Sequence, residues 1–245
     1  EIGKGNFNFE STHDISKGDL GKELLKMKES LQQVSEDEKK RNWATEGLAI
    51  FAGILRNNND DLELLSDDIV TNLVKYLGAN QGGIFIISDN KKIPKMELKS
   101  AYAYDRKKFL EKEFAIGEGL IGQCWQEKEK IFLTEIPQAY INITSGLGTT
   151  NPTCILLMPL MINEDIYGVI EIASFNVLET YQIEFIERLA SSIASTLSSV
   201  KANLHTSSLL EESQQMSEEL QAQEEELRQN AEEMQATQEE MERAQ

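Results

Sequence analysis

Between residues 211 and 241 a pair of glutamates recurs every seventh residue: Glu211-Glu212, Glu218-Glu219, Glu225-Glu226, Glu232-Glu233 and Glu239-Glu240. The last four pairs are each followed by an apolar residue, Leu220, Leu227, Met234 or Met241. An α-helix has 3.6 residues per turn, so a strict seven-residue period holds these four side chains on one slowly drifting stripe that another helix has to cover. No glycine or proline follows Gly168. One helix is therefore expected from about residue 178 to the end, roughly 100 Å long at about 1.5 Å per residue. A rod of that length suits the transmission of movement rather than the enclosure of a pocket. The second core position is polar in either register, with Gln223, Asn230 and Thr237 or with Glu224, Ala231 and Gln238. The reading is a weak parallel dimeric coiled coil, and the competing one is a solvated single helix or a disordered tail.

Charge bounds the partners. The formal net charge is -18, and residues 211 to 245 carry twelve acidic and two basic residues, which places -10 of it in the tail. Nothing offers a basic face to neutralise phosphates, so nucleic acid is not expected as a partner. The two cysteines, Cys124 and Cys154, make no disulfide framework, and the two histidines, His13 and His205, leave zinc without a ligand set. This cysteine usage suits a reducing cytoplasm. No stretch approaches the ~20 apolar residues of a membrane span, so no direct membrane insertion is expected of these residues. The chain starts at Glu1 rather than Met and reads as a piece of something longer.

The 40% hydrophobic content suffices for a core. Residues 1 to 20 read as an irregular connector punctuated by Gly3, Gly5 and Gly18. Leu20, Leu24, Met27, Leu31 and Val34 then step by four, three, four and three, a dimer-like seam that Glu38 and Arg41 interrupt. That interruption is a candidate hinge. An apolar stripe resumes in shifted phase at Trp43, Gly47, Ile50, Phe51 and Ile54, and a second helix is expected from about Asp61 to Leu77, ended by Gly78. From there short apolar runs predict five strands: 83–88, about 95–104, 131–134, 154–162 and 167–174. Asn163-Glu164-Asp165 reads as a short hairpin connection, and Asn176 with Glu179 as a capping box for the last helix. The fold class is α+β, with a mainly antiparallel sheet of five to six strands and helices from both ends of the domain packed on one face.

In this order and spacing, Gly117-Glu118-Gly119-Leu120-Ile121-Gly122, then Ile131-Phe132-Leu133, then Gly168-Val169-Ile170-Glu171-Ile172-Ala173-Ser174 leading to Phe185-Ile186 resemble a GAF domain over about residues 42 to 204. Ile2-Gly3-Lys4-Gly5-Asn6-Phe7 and Asp19-Leu20-Gly21 resemble the connector and second helix of a HAMP module, covering residues 1 to 41. The resemblance implies the bacterial receptor arrangement of HAMP, GAF and then an output helix, here residues 205 to 245. It implies a homodimer on the cytoplasmic side of the inner membrane, tethered through an upstream transmembrane segment. Downstream it implies a kinase, a PAS module or a chemotaxis signalling tip. The signalling seam would run through Leu24, Met27, Leu31, Val34, Leu220, Leu227, Met234 and Met241.

No cofactor is identified by the residues, and an unknown small ligand is left open. Gly117, Gly119 and Gly122 read as turn and helix-start residues rather than a phosphate cradle, since no P-loop Lys or Ser/Thr follows. If the GAF pocket binds a ligand, the resemblance points to Phe85, Cys124, Trp125, Tyr140, Thr144, Tyr167 and Glu171. The segment 137–153 would cover that pocket, as it does in GAF domains. Alternation puts Tyr167, Val169, Glu171 and Ala173 on one face of the last strand, with Gly168, Ile170 and Ile172 on the helix side. Glu171 then faces the pocket or caps loop amides of residues 140 to 150. The leading functional expectation is a non-enzymatic relay between an upstream sensor and a downstream output. The alternatives are a ligand-free dimerisation spacer and a GAF-fold methionine sulfoxide reductase-like enzyme using Cys124 or Cys154.

Overall fold

A computed structural model describes residues 19–57, 61–88, 93–103, 106–108, 112–136, 143–145 and 148–243. Residues 1–18, on which the HAMP resemblance largely rests, and Tyr140 lie outside them. The chain divides into two compact units, Glu1–Thr196 and Leu197–Gln245.

In the first unit, α1 (Asp19–Asn57) is followed by α2 (Leu62–Leu77). The second helix is closed at both ends by its own sequence. Asp61 Oδ1 accepts from the amides of Glu63 and Leu64, and Gly78 takes the left-handed conformation (φ 64°) that a side chain would disfavour. Its apolar face, Leu65, Ile69, Val70, Leu73, Val74 and Leu77, is buried.

The sheet follows. Its strands are β1 (Gln81–Ile87), β2 (Met96–Ala103), β3 (Arg106–Lys108), β4 (Glu113–Phe114), β5 (Ile131–Leu133), β8 (Cys154–Ile162) and β9 (Asp165–Ser174), with a separate hairpin of β6 (Ile143–Ser145) and β7 (Gly148–Thr150). The main order is β3-β2-β1-β9-β8-β5, with β4 also paired to β2, and every pairing is antiparallel. The fold is thus the α+β class that the periodicities predict. All five expected strands are present; the three-residue β3, β6 and β7 and the two-residue β4 are additions. Unlike the equally short Ile131-Phe132-Leu133, none of these segments is a solid apolar run, so they leave no signal.

Both sheet faces are covered. On one, α2 lies against β1 and β2: a β-carbon on Gly82 would sit 2.7 Å from Val74 and 3.0 Å from Ile172. On the other lies α3 (Gly119–Glu127). α4 (Thr180–Arg243) begins inside this unit and buries Phe185, Ile186, Leu189, Ala190, Ile193 and Ala194.

Three local expectations are corrected. The hairpin turn is the two residues Asn163-Glu164, because Asp165 already pairs with Ile162; Asn163 adopts φ 54°, which asparagine tolerates. The capping box of Asn176 and Glu179 does not form. Ser174 Oγ accepts from the Asn176 amide instead, Leu178 is buried, and the helix starts later, with Gln182 Oε1 accepting from the Glu179 amide. Finally, Ile50 is 44% exposed and is not part of the stripe that α1 turns inward.

The second unit is the remainder of α4. From Ala202 onward its residues are exposed wherever their side chains are described, including Leu220, Leu227, Met234 and Met241. Arg228 lies 2.8 Å from Glu225 and 3.9 Å from Glu232, same-helix pairs of the kind that support a solvated helix. No helix among the described residues is long and apolar enough to cross a membrane.

Candidate functional site

The face of the sheet opposite α2 carries the cluster in which a ligand pocket was expected. α3 can approach this face because the turn before it is tight. Gly117 (φ 77°) and Gly119 (φ 62°) take left-handed backbone, and a β-carbon on Gly122 would collide with the carbonyl oxygen of Ala115. Four amides of the turn bond within it: Gly117 donates to Gly122, Glu118 to Ala115, Gly122 to Glu118, and Ala115 to the Glu118 carboxylate. The Gly-rich hexapeptide is therefore a turn closed on itself, as its lack of P-loop partners suggests.

α3 then lays Ile121, Cys124 and Trp125 onto Phe85, Met96, Ile155, Leu157, Val169 and Ala173. Phe85 meets Phe114 edge-on at 5.6 Å between ring centroids. Gly168 lets β9 run close to β1, where a β-carbon would collide with the Phe85 carbonyl oxygen.

Of the seven candidate ligand residues, Phe85, Cys124 and Trp125 come together in this cluster. Glu171 sits at the centre of the sheet, in register with Gly83 of β1 and Leu157 of β8, on the same face as Val169 and Ala173. It is partly buried, and Gly83 contributes no side chain beside it. Tyr167 is not in the cluster. The register of β8 with β9 shifts between Leu160 and Met161, so Gly168 pairs with Leu160 and Ile166 with Met161 while Tyr167 has no partner. This bulge breaks the alternation that placed Tyr167 beside Val169, and Ile166 packs against the cluster in its stead. Thr144 lies in β6, in register with Thr149. Sequence reasoning missed Met96 and Ile121; Ile121 stands inside the Gly-rich motif, two residues after the second of its glycines.

The two thiols lie in separate places. Cys124 is fully buried, its Sγ donates to the Glu129 carbonyl at 3.3 Å, and burial, with Glu127 adding to it, pushes its pKa up to about 12. Cys154 is likewise buried, donates to the Asn176 carbonyl at 3.2 Å and is raised by burial. Both are held as neutral thiols, the unreactive form. Among the described residues no group of three or more His, Cys, Asp or Glu is placed to hold a metal ion.

A second constellation joins the helices. Trp43 of α1 stacks on Tyr76 of α2 (4.8 Å) and meets Tyr181 and Phe185 of α4 edge-on at 5.1 and 5.0 Å. The Tyr76 hydroxyl donates to the Trp43 carbonyl at 2.5 Å. Lys40 lies 3.2 Å from Glu179 and 5.2 Å from the centre of the Tyr181 ring, and the hydrogen bond to Glu179 raises its pKa. The helix that enters the domain and the one that leaves it thus touch directly.

The chain belongs to the GAF domain family, whose model matches residues 59–198. Solved structures agree on the fold. The GAF domain of an Acinetobacter phosphoenolpyruvate-protein phosphotransferase is 14% identical, with a TM-score of 0.51 over 64% of this chain and 95% of that one. The corresponding domain from Coxiella burnetii is 21% identical, with a TM-score of 0.51 over 65% and 97%. A free methionine-R-sulfoxide reductase from Neisseria meningitidis is also similar, at 12% identity and a TM-score of 0.49 over 62% and 86%. No curated protein matches the sequence.

Proposed function

We propose that this GAF domain is the middle of a dimeric relay, the cytoplasmic segment of a membrane receptor in which HAMP motion enters through α1 and leaves through α4 toward a downstream output module. The observation that carries the reading is the direct contact of Trp43 with Tyr181 and Phe185. A turn or slide of α1 cannot occur without repacking rings on α4, and packed cores answer such displacement by switching between arrangements rather than by deforming smoothly. Exposed apolar residues at seam positions support the dimer: Leu24 is 45% exposed, Leu227 69% and Met234 71%. A small ligand bound near Glu171 would act on β9, the strand that leads into α4.

The test is Trp43→Ala in a receptor that carries this segment and responds to its stimulus. The reading expects a folded receptor whose output no longer follows the stimulus. An unchanged response refutes it.

The ligand-free spacer is the second reading, and the filling of the α3 face by Phe85, Trp125 and their neighbours favours it. Native mass spectrometry of the purified protein decides: a stoichiometric co-purified small molecule rules out the spacer.

A further inference from the structure

Glu171 is the one charged residue inside the three central strands of the sheet. β1 and β8 have none, and β9 has besides it only Asp165, at the hairpin turn. A carboxylate among apolar strands is costly unless positive charge or hydrogen-bond donors answer it. Positive charge gathers at one edge of the same sheet. Eight of the 24 Lys and Arg residues fall between residues 91 and 112, against three of the 42 Asp and Glu, in a chain whose net charge is -18. Three of those eight, Arg106, Lys107 and Lys108, make up the whole of the edge strand β3.

Strand register puts the two kinds of charge on one face. Residues directly opposite each other in an antiparallel pair stand on the same side of the sheet. Reading outward from β9, Glu171 pairs with Gly83, Gly83 with Ala101, and Ala101 with Lys108. The neighbouring row is Ala173, Gln81, Ala103 and Arg106. Both rows belong to the α3 face, where Ala173 lies in the cluster. Lys107 pairs with Tyr102 instead and belongs to the opposite face, on which Lys75 of α2 lies over the Tyr102 ring. Three strand spacings, about 14 Å, separate the backbones of Glu171 and Lys108. The row between them contributes only Gly83 and Ala101, no side chain larger than a methyl group. Lysines on an edge strand also guard it against pairing with other chains, but that duty does not depend on which face they occupy.

We infer that this face takes a small zwitterion, a free amino acid or a short peptide, whose ammonium group donates to Glu171 and whose carboxylate accepts from Lys108 and Arg106. A small anion alone would be repelled by Glu171, and a small cation alone by the two basic residues, so the row selects a molecule that carries both charges. Charge-assisted hydrogen bonds at its two ends fix the orientation. Phe85, two residues along β1 from Gly83 on the same face, supplies an apolar border, and binding sites of this kind combine such walls with a few convergent polar groups. The inference rests on the small-ligand part of the reading above and deepens it by naming the ligand's chemical class and two residues, Arg106 and Lys108, that hold it.

The experiment is calorimetric titration of the dialysed full 245-residue chain with the standard L-amino acids and a set of dipeptides, each binder being repeated as its des-amino acid and its decarboxylated amine. At least one zwitterion should bind, and both of its truncated forms should bind about tenfold more weakly or worse, the equivalent of one lost charge-assisted hydrogen bond. Glu171→Gln and Lys108→Met should each weaken the zwitterion to the same degree, and Glu171→Gln should leave the des-amino acid unaffected. Lys107→Met removes the same charge from the same strand on the other face, and should stay within about twofold of the wild type, well inside one hydrogen bond. If Glu171→Gln does not fold, the contrast between Lys108→Met and Lys107→Met decides. A panel in which nothing binds, a binder held as well by its truncated forms, or equal losses at Lys107 and Lys108 overturns the inference. None of these outcomes touches the relay, which stands or falls on the response of Trp43→Ala.

Discussion

A β-carbon on Gly47 would come within 2.7 Å of the Phe185 ring, so α1 and α4 pass each other at a separation that only glycine permits. Tyr76 closes the same space from α2, at 2.6 Å. Gly47→Ala should therefore overpack the junction and destabilise the domain by roughly 1–3 kcal/mol, despite the better helix propensity of alanine. Urea denaturation checks the sign: a stabilised variant would mean the rings move aside freely.

The turn that leads into α3 makes a separate claim on the backbone. Gly122→Ala should be the more damaging change, because the group in its way is the Ala115 carbonyl, which cannot rotate aside. A loss of about 2–3 kcal/mol is expected, at the upper end of overpacking effects. The accompanying readout is Trp125 fluorescence, since the ring rides on α3 and is 8% exposed. Unchanged stability and an unchanged spectrum would show that α3 does not depend on this turn.

Much of this was legible in the residues. Asp61 and Gly78 announced the ends of α2, and the solid run Cys154 to Ile162 announced β8 without error at either end. The face of Glu171 followed from alternation, because β9 is regular from Gly168 to Ser174. Tyr167 did not follow, since a bulge leaves no trace in composition and shifts every residue beyond it. Ile50 looked like core because it is apolar next to Phe51; only the packing of Gly47 against two rings shows which side of α1 turns inward. The contact of Trp43 with Tyr181 and Phe185 spans about 140 residues of sequence, and no local pattern encodes such a pairing.

Thiol chemistry gives a prediction with a definite sign. Burial raises the Cys124 pKa in the folded protein to about 12, above its ordinary value near 9. The folded state then holds a proton that the unfolded chain releases, so this stabilisation is complete below about pH 9 and declines as pH rises from there toward 12. At pH 8 neither Cys124 nor Cys154 should react with iodoacetamide until the protein is unfolded, since the thiolate is the reactive form. Rapid alkylation of the native protein would contradict the burial of both and favour a cysteine-based enzyme.

The central claim is that displacement of α1 reaches the far part of α4 in a dimer, and distance measurement between spin labels tests it most directly. With Cys124 and Cys154 buried, the thiol of Leu24→Cys is the one a photocleavable bismaleimide reaches to clamp α1 to its partner, and the spin labels are attached by azide–alkyne cycloaddition to an azide-bearing amino acid introduced in place of Leu227, so that clamp and label use different chemistry. The account predicts that clamping shifts the label-to-label distance distribution, that photocleavage of the crosslinker restores it, and that Trp43→Ala abolishes the shift. A distribution that is the same in the clamped and the free state, in a dimer shown to be intact, would contradict it.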